Sequence, residues 1–395
     1  MATLSSPSQA LWWTLSGRRV VVVCGTGGVG KTTVSASLAL AAARSGQRVL
    51  VMTIDPARRL ATALGIDKNL SEATSIPLLW KPSGDLKQEK PGSLDAMMLD
   101  AKSTWDGVVR RFAPSQQIRE RILSNRYYQK AAGSLAGSQE YMAMEKLLEM
   151  VGSQNYDLIV LDTPPTRNAL DFMEAPQRMM AVLQDSILRW IAPNEGSFSS
   201  ARAGAYLFGR GQQAMFSLFE RFIGSNVLKG ISEFIRAFST LTEGMRSRAD
   251  EVAQLLASEN AAFVLVASPS QSSLDEALYF HDRLQQADIS VRALIVNRTH
   301  SMQGAPVGEA PASAREAGFA APPETDKAAL LHSLWNHYQQ ERAQQLADER
   351  SIRSIQAHCG YQLPLLCLPN LGEQLHDLEG LHQLAGLLSQ EQPEA

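Results

Sequence analysis

The sequence predicts an α/β protein with a mostly parallel sheet, helices on both faces of that sheet and an inserted α-helical subdomain. Three observations support this class. Apolar runs of strand length, such as residues 20–24 and 158–161, end in a glycine-rich turn or in polar residues, as buried strands of a parallel sheet do. Segments of helical length separate these runs. Two long stretches, at about 105–150 and 168–257, have apolar residues at helical spacing and predict the inserted subdomain.

The first elements form a strand–helix–strand unit. Residues 20–24 are a fully apolar strand, residues 31–45 favour a helix, and a second apolar strand follows at 49–52. Such a unit joins its two parallel strands by a right-handed crossover. A short strand is predicted at 97–100, before the helical pattern begins, and another apolar strand at 158–161.

The last part of the chain alternates strands and helices again. Its composition changes at about 303–324, where Ala, Pro and Gly are frequent and no periodicity is visible, so this stretch is predicted to be a flexible surface loop. The predicted strands are 263–267, 291–297 and 363–368, and the later predicted helices are 330–359 and 380–388.

The turn after the first strand carries the motif around which the chain is organised. Residues 25–32 read GTGGVGKT, which matches the phosphate-binding loop G-x-x-x-x-G-K-T. Glycines let the backbone N–H groups point at phosphate oxygens, and the following helix directs the positive end of its dipole at the same anion. The whole chain, 1–395, is therefore predicted to be one P-loop NTPase domain. The predicted phosphate-binding residues here are Gly27, Gly28, Val29, Gly30, Lys31 and Thr32.

Polar side chains follow several of the predicted strands, where ligands of parallel sheets bind. Asp162 is placed to support Mg²⁺ through water, next to the metal-binding hydroxyl of Thr32. Asp55 is a candidate for orienting the water that attacks the γ-phosphate, although a helix N-cap role is also open. Asn297 is placed either to bond an adenine edge or to serve a turn.

These motifs resemble those of a known family. Residues 25–32 resemble a deviant Walker A loop, and residues 55–57 (DPA) and 162–166 (DTPPT) resemble switch I and switch II of the ArsA family of ATPases. That family includes the arsenite-pump ATPase and the ATPase that targets tail-anchored membrane proteins. The resemblance runs from Val20 to about Leu388, which is nearly the whole chain.

The resemblance implies an ATPase that turns ATP and water into ADP and phosphate with Mg²⁺. It implies that Asp55 is the catalytic residue that positions the attacking water, and that Asp162 supports the metal. It adds Thr33 to Lys31 and Thr32 as ligands of phosphate and Mg²⁺. The adenine-contacting elements of the family correspond to Val296-Asn297 and Leu368-Pro369, so Asn297 and Pro369 are expected to contact the base.

One position departs from the family pattern. Relatives usually place a second lysine after the first glycine of the loop, where it reaches the nucleotide of the partner subunit, and this chain has Thr26 there. Three consequences are open. Hydrolysis is slow, or Arg58 or Arg59 supplies the charge, or a lysine-bearing family member pairs with this chain. The expected assembly is accordingly a homodimer or a heterodimer with a related ATPase.

Composition excludes several other classes. The net charge of −3 gives no reason to expect nucleic acid as a partner. The three cysteines, Cys24, Cys359 and Cys367, form no C-x-x-C pair, so no zinc is expected and a cysteine site for arsenite lacks ligands. No signal peptide or long apolar run is visible, so a cytoplasmic protein is expected.

The helical stretch contains apolar stripes that suggest a client surface. Flexible Met and rigid Phe suit a groove that accepts varied apolar helices, such as those of membrane proteins. The alternative is that these stripes pack on one another as the core of a helical bundle. The candidate client residues are Met179, Leu183, Ile187, Phe219, Phe222 and Phe234.

The sequence therefore predicts an ATPase whose nucleotide cycle controls an apolar client-binding surface. A regulatory subunit that binds ATP but hydrolyses little, and pairs with a lysine-bearing relative, is the alternative. An arsenite-pump subunit is less favoured, because the cysteines and the duplicated halves of that pump are missing. A partition-type ATPase that coats membrane or nucleoid is disfavoured, because no C-terminal amphipathic anchor and no strongly basic face are visible.

Overall fold

The computed structural model describes residues 11, 15–55, 57, 59–66, 70–78, 92–131, 138–164, 240–300, 327–360, 363–371 and 378–389. Three of the expectations above concern residues outside these ranges. They are the loop at 303–324, most of the helical stretch 168–257, and with it the six candidate client residues.

Eight strands form one sheet in the order β3-β4-β2-β5-β1-β6-β7-β8. Parallel pairing joins β2 to β5, β5 to β1, β1 to β6, β6 to β7 and β7 to β8. This arrangement confirms the predicted α/β class with a mostly parallel sheet. The strands are β1 (Val20–Gly25), β2 (Arg48–Thr53), β3 (Thr74–Ile76), β4 (Ser93–Met98), β5 (Leu158–Asp162), β6 (Ala261–Ala267), β7 (Val291–Thr299) and β8 (Leu365–Pro369).

One edge of the sheet differs from the prediction. β3 was not predicted, and it pairs antiparallel with β4. The strand expected at 97–100 instead spans Ser93–Met98, because the alternation of Leu94 and Ala96 with polar neighbours places every second side chain in the core. Met97 and Met98, the apolar pair at the end of this strand, led the prediction to place the strand too far along the chain.

The helices follow the predicted alternation. β1 leads through α1 to β2 on one side of β1, and β6 leads through α8 to β7 on the other side. Because such crossovers are right-handed, α1 and α8 cover opposite faces of the sheet. The described helices are α1 (Lys31–Arg44), α2 (Arg59–Ala63), α3 (Ala101–Phe112), α4 (Gln116–Ser124), α5 (Arg126–Ala131), α6 (Ser138–Ser153), α7 (Thr242–Ala257), α8 (Gln271–Gln286), α9 (Lys327–Cys359) and α10 (Leu378–Ser389).

The chain divides into two compact units. The first unit contains the sheet with α1, α2, α8, α9 and α10, and the second contains α3 to α7. In the first unit every residue of β1, β5 and β6 is buried. Close packing at the end of β1 requires Gly25, because a Cβ there would lie 2.2 Å from the carbonyl oxygen of Val266.

The second unit has its own apolar core around Trp105 of α3. The Trp105 ring stacks on Tyr141 of α6 with 6.2 Å between ring centroids. The Tyr141 hydroxyl donates a hydrogen bond to the carbonyl oxygen of Met245 in α7 at 3.0 Å. Three helices are therefore joined at one buried point. The buried members of this cluster are Trp105, Val108, Val109, Ile122, Tyr128, Tyr141, Met142, Leu241 and Met245.

A buried carboxylate connects the same three helices. Glu145 of α6 is only 4% exposed and accepts from Arg111 of α3 at 2.7 Å. The guanidinium of Arg248 in α7 lies 3.1 Å from the same carboxylate oxygen. Arg111 is about half exposed, whereas Arg248 is largely buried, so the pair with Arg248 is the more shielded from solvent.

No helix in the described ranges is both long enough and apolar enough to span a lipid bilayer.

We expect Glu145→Ala to lower the free energy of unfolding of the second unit by about 3 kcal/mol, because it leaves the largely buried Arg248 with only the half-exposed carboxylate of Glu251, at 3.3 Å. Arg111→Ala should cost less, about 1 kcal/mol, because its half-exposed guanidinium is replaced by water around the remaining pair. Urea unfolding followed by limited proteolysis of α3 and α7 measures both. Equal losses of unfolding free energy in the two variants would contradict the prediction that Glu145→Ala costs more than Arg111→Ala.

Candidate nucleotide-binding site

The glycine-rich loop lies between the buried strand β1 and helix α1. Gly30 is the N-cap of α1 with φ 92° and ψ 26°, a left-handed conformation that glycine adopts without strain. A Cβ at Gly30 would also lie 2.3 Å from Nδ2 of Asn297. The first N–H groups of α1 have no acceptor within the helix and point toward the loop. The strand–loop–helix context that a phosphate-binding loop needs is therefore present.

Lys31 is buried at the start of α1. Its Nζ donates a hydrogen bond to the carbonyl oxygen of Thr26 at 2.7 Å, so the ammonium group spans the loop. Burial lowers the pKa of Lys31, the charge of Asp162 opposes this shift, and the charge of Arg59 adds to it. The ammonium group therefore lies in a field shared by the loop, β5 and α2.

Asp162 is the last residue of β5, between β1 and β2 in the sheet. Its Oδ2 accepts hydrogen bonds from the hydroxyls of Thr32 at 2.7 Å and Thr53 at 2.9 Å. Burial raises the pKa of Asp162, and the two threonine hydroxyls and Lys31 oppose that shift. Its Oδ1 is buried without a hydrogen-bond partner among the described residues. One oxygen thus fixes the carboxylate, and the other remains able to accept.

Asp55 follows β2 and is oriented by its own turn. Its Oδ1 accepts from the N–H of Ala57 at 2.9 Å, and its N–H donates to the hydroxyl of Thr53 at 3.3 Å. Its Oδ2 lies 3.6 Å from a guanidinium nitrogen of Arg59. The charge of Asp55 contributes to the pKa shifts of both Lys31 and Asp162. Asp55 therefore belongs to the same electrostatic cluster as the loop.

Asn297 lies at the carboxyl end of β7, beside β8. Its Nδ2 donates to the carbonyl oxygen of Val29 at 2.9 Å, so the amide ties β7 to the glycine-rich loop. Its Oδ1 is buried without a partner in the described part of the chain. Pro369 ends β8 opposite Thr299, and the register of the two strands pairs Asn297 with Leu368. The two residues expected to contact adenine are thus on adjacent strand ends.

The structure brings most of the predicted site residues together at one edge of the sheet. In the described ranges, no polar contact with the other predicted site residues is found for Gly27, Gly28, Thr33 and Pro369. Their position in the loop, in the first turn of α1 or at the end of β8 is what supports a role. Thr53 was not among the predicted site residues. A polar residue directly after the apolar run 49–52 of β2 is the signal that identifies it. Arg58, Pro165 and Thr166 lie outside the described residues, as do the candidate client residues.

The residues at this edge fit a magnesium ion. Mg²⁺ prefers oxygen ligands and keeps several waters, so one protein hydroxyl and one nearby carboxylate are typical of nucleotide sites. Thr32 offers the hydroxyl, and the unpartnered Oδ1 of Asp162 offers an acceptor for a metal-bound water. In the described ranges no group of three or more His, Cys, Asp or Glu side chains could hold a metal by itself.

We expect Asp162→Asn to keep or raise the thermal midpoint of the nucleotide-free protein, because it removes a charge that burial disfavours. The same change should weaken Mg²⁺-dependent ATP binding by about tenfold or more. Thermal unfolding without nucleotide, and ATP titrations with and without Mg²⁺, measure the two effects.

The gain in midpoint should shrink as the pH falls. Because burial raises the pKa of Asp162 in the folded protein, the parent carboxyl becomes protonated and then resembles the neutral amide. Asp157→Asn is the control, since Asp157 is half exposed and paired with Arg48. A midpoint several degrees below the parent at neutral pH would contradict the assignment.

Comparison with known proteins gives a consistent family. A family model described as anion-transporting ATPase matches residues 18–305. The ATPase GET3 of Malassezia globosa is 30% identical over 275 residues, which are 69% of this chain and 70% of that protein. The ATPase GET3 of Mycosarcoma maydis is 30% identical over 200 residues, which are 50% of this chain and 54% of that protein.

A bacterial relative, an uncharacterised protein of Streptomyces coelicolor, is 30% identical over 168 residues, which are 42% of this chain and 39% of that protein. The chain thus aligns with about half of the Mycosarcoma relative and with less of the Streptomyces relative. The family model covers well over half of the chain and includes the loop, Asp55, Asp162 and Asn297. The chain therefore belongs to the anion-transporting ATPase family, the ArsA family of ATPases.

Proposed function

We propose that this chain binds Mg·ATP at the end of β1 and hydrolyses it with Asp55 as the residue that orients the attacking water. The observation that carries this proposal is the cluster in which Thr32 and Thr53 hold one oxygen of Asp162, while Lys31 and Asp55 lie in the same electrostatic field. A phosphate loop, a metal-supporting carboxylate and a second carboxylate are the parts that phosphoryl transfer to water requires.

Each residue near the loop has a separate role. Lys31 binds the β- and γ-phosphates, and its buried ammonium already bonds a backbone oxygen of the loop. The N–H groups from Gly27 to Thr33 surround the same phosphates. Thr32 would ligate Mg²⁺, and Oδ1 of Asp162 would accept a hydrogen bond from a water of the ion. When bound, the ion neutralises charge on the β- and γ-phosphate oxygens.

The reaction is a displacement by water. A bond forms between the water oxygen and the γ-phosphorus while the bond to the bridging oxygen breaks, and its electron pair stays on ADP. Asp55 accepts a hydrogen bond from the water and aligns it, and the released proton is carried by the phosphate product. The turn that fixes Oδ1 of Asp55 on the N–H of Ala57 limits the motion of this carboxylate.

Asn297 and Pro369 form the proposed base site. The Oδ1 of Asn297 is a buried acceptor, which suits the exocyclic amine of adenine. Guanine presents a carbonyl oxygen at the equivalent position and would leave both acceptors unpaired. Pro369, at the end of the neighbouring strand, offers an apolar surface for the ring.

The assembly is proposed to be a homodimer, or a heterodimer with a related ATPase, in the cytoplasm. The name of the two fungal relatives, ATPase GET3, supports ATP hydrolysis and not a particular client. A client surface for hydrophobic segments is proposed from the sequence stripes that include Met179, Leu183 and Phe219. No nucleic acid partner and no zinc are proposed.

Two other functions have less support. The uncharged Thr26 favours a regulatory subunit. That role, however, would leave the oriented Asp55 and the fixed Asp162 without a function. Arsenite binding needs cysteine sulfurs that converge on one point, and no group of three or more His, Cys, Asp or Glu side chains that could hold a metal ion is found among the described residues. The sequence also has no cysteine between Cys24 and Cys359.

We expect Asp55→Asn to lower kcat by about 100-fold or more while the Kd for ATP changes little, because the water loses its aligned acceptor. Phosphate release is measured across a range of protein concentration, and ATP binding is measured separately. Asp157→Asn, the same change at a half-exposed carboxylate that pairs with Arg48, serves as the control. Tight ATP binding with no turnover by the parent at any concentration would instead support the regulatory subunit.

A second experiment tests the client surface. A hydrophobic helical peptide that carries a photoreactive group should crosslink to residues 170–245 in one nucleotide state more than in the others, because the nucleotide cycle controls this surface. Crosslinked peptides are located by mass spectrometry with ATP, with ADP and without nucleotide. A peptide that labels this segment in no state would contradict the client proposal, and the bundle-core alternative would be favoured.

A further inference from the structure

Arg59 lies next to the candidate water-orienting carboxylate. It is the first residue of α2, and its guanidinium is 3.6 Å from Oδ2 of Asp55. Its charge also reaches the loop. Burial is the main cause that lowers the pKa of Lys31, and among the described residues the charge of Arg59 lowers it further. The guanidinium thus lies beside the carboxylate that would orient water, and its charge acts on the ammonium that would bind the γ-phosphate.

The contact with Asp55 does not explain why an arginine is here. A distance of 3.6 Å is longer than a charge-assisted hydrogen bond, whereas the surface pair of Arg48 and Asp157 closes to 2.7 Å. The Arg59 side chain is 63% exposed, so water screens the pair. A positive charge in the first turn of a helix is also unfavourable to the helix dipole. The guanidinium is therefore free to move to a stronger anion.

The chemistry of the site lacks one positive charge. Phosphoryl transfer places negative charge on the equatorial oxygens of the γ-phosphoryl group and on the leaving oxygen, and cations that meet this charge supply most of the catalysis. Lys31 is the cation that the described part of the loop provides. Thr26, whose carbonyl oxygen accepts from Lys31, brings no charge of its own.

We propose that Arg59 is a catalytic residue that binds the γ-phosphoryl oxygens of ATP in the same subunit, and that it supplies the charge that Thr26 does not. This inference rests on the proposed ATP hydrolysis. In the step itself the bond from water to the γ-phosphorus forms and the bond to the bridging oxygen breaks. Arg59 donates N–H groups to the equatorial oxygens during this exchange, while Asp55 holds the water. A planar guanidinium can donate two parallel hydrogen bonds to such oxygens.

The first experiment compares kcat and ATP affinity of Arg59→Gln with the parent. We expect kcat to fall by about 100-fold or more, as when an arginine finger is removed, while the Kd for ATP changes less than about threefold. Arg59→Lys should retain part of the rate, because it keeps the charge without the planar fork. Arg353→Gln is the matched control, since Arg353 forms an exposed pair with Glu349 at the same four-residue spacing. Its kcat should equal that of the parent.

A second readout separates direct contact from an effect through Asp55. Arg59→Gln should weaken binding of ADP with aluminium fluoride, a mimic of the transferring phosphoryl group, and should leave the affinity for ADP alone unchanged. The same loss should appear when Arg59→Gln is made in the Asp55→Asn background. If the loss disappears in that background, Arg59 acts only by positioning Asp55 and the proposal is wrong.

Mixing two inactive variants tests whether the contact is made within one subunit. In a mixture of Arg59→Gln and Asp55→Asn proteins, an arginine acting across a dimer would restore activity at the site that keeps Asp55. We expect no restoration. A parent protein without turnover would overturn the proposed hydrolysis itself, whereas an active parent with an equally active Arg59→Gln variant would overturn this inference alone.

Discussion

The site depends on one buried carboxylate oxygen that two threonine hydroxyls share. Oδ2 of Asp162 accepts from Thr32 in α1 and from Thr53 at the end of β2, while Asp162 itself ends the strand between β1 and β2. A buried charge is costly unless hydrogen bonds hold it, and burial raises the pKa of this carboxyl despite both bonds. The arrangement therefore keeps a buried carboxylate whose second oxygen has no hydrogen-bond partner among the described residues and can accept from a ligand.

The glycine-rich loop is held from its other side by an amide. Asn297 donates to the carbonyl oxygen of Val29, and this contact leaves no room for a Cβ at Gly30. Gly30 therefore meets two independent demands, a left-handed backbone and a close approach by a side chain from β7. The Asn297 side chain thus connects the loop to β7, the strand whose end would bind the base. This single contact would link phosphate recognition with base recognition.

The sequence was sufficient to predict the parts of this site that depend on local pattern. An apolar strand that ends shortly before Asp55, another that ends at Asp162, and a loop of fixed spacing follow from short stretches of chain. The sequence did not predict β3, which has three residues and gains its order from antiparallel pairing with β4. Nor did it predict that Thr53 bonds Asp162, because the register of β2 on β5 brings them together and register is set by the whole sheet.

Each of the two cations of the site rests on an oxygen of the protein, and this connects the geometry of the site with turnover. The ammonium of Lys31 rests on the carbonyl oxygen of Thr26, and the guanidinium of Arg59 rests at longer range on Asp55. Phosphate oxygens attract both groups more strongly than these partners do. Nucleotide would therefore draw Arg59 away from Asp55, and the freed Oδ2 of Asp55 could then accept from water. A single exchange of partners would supply both the missing positive charge and the acceptor that aligns the nucleophile.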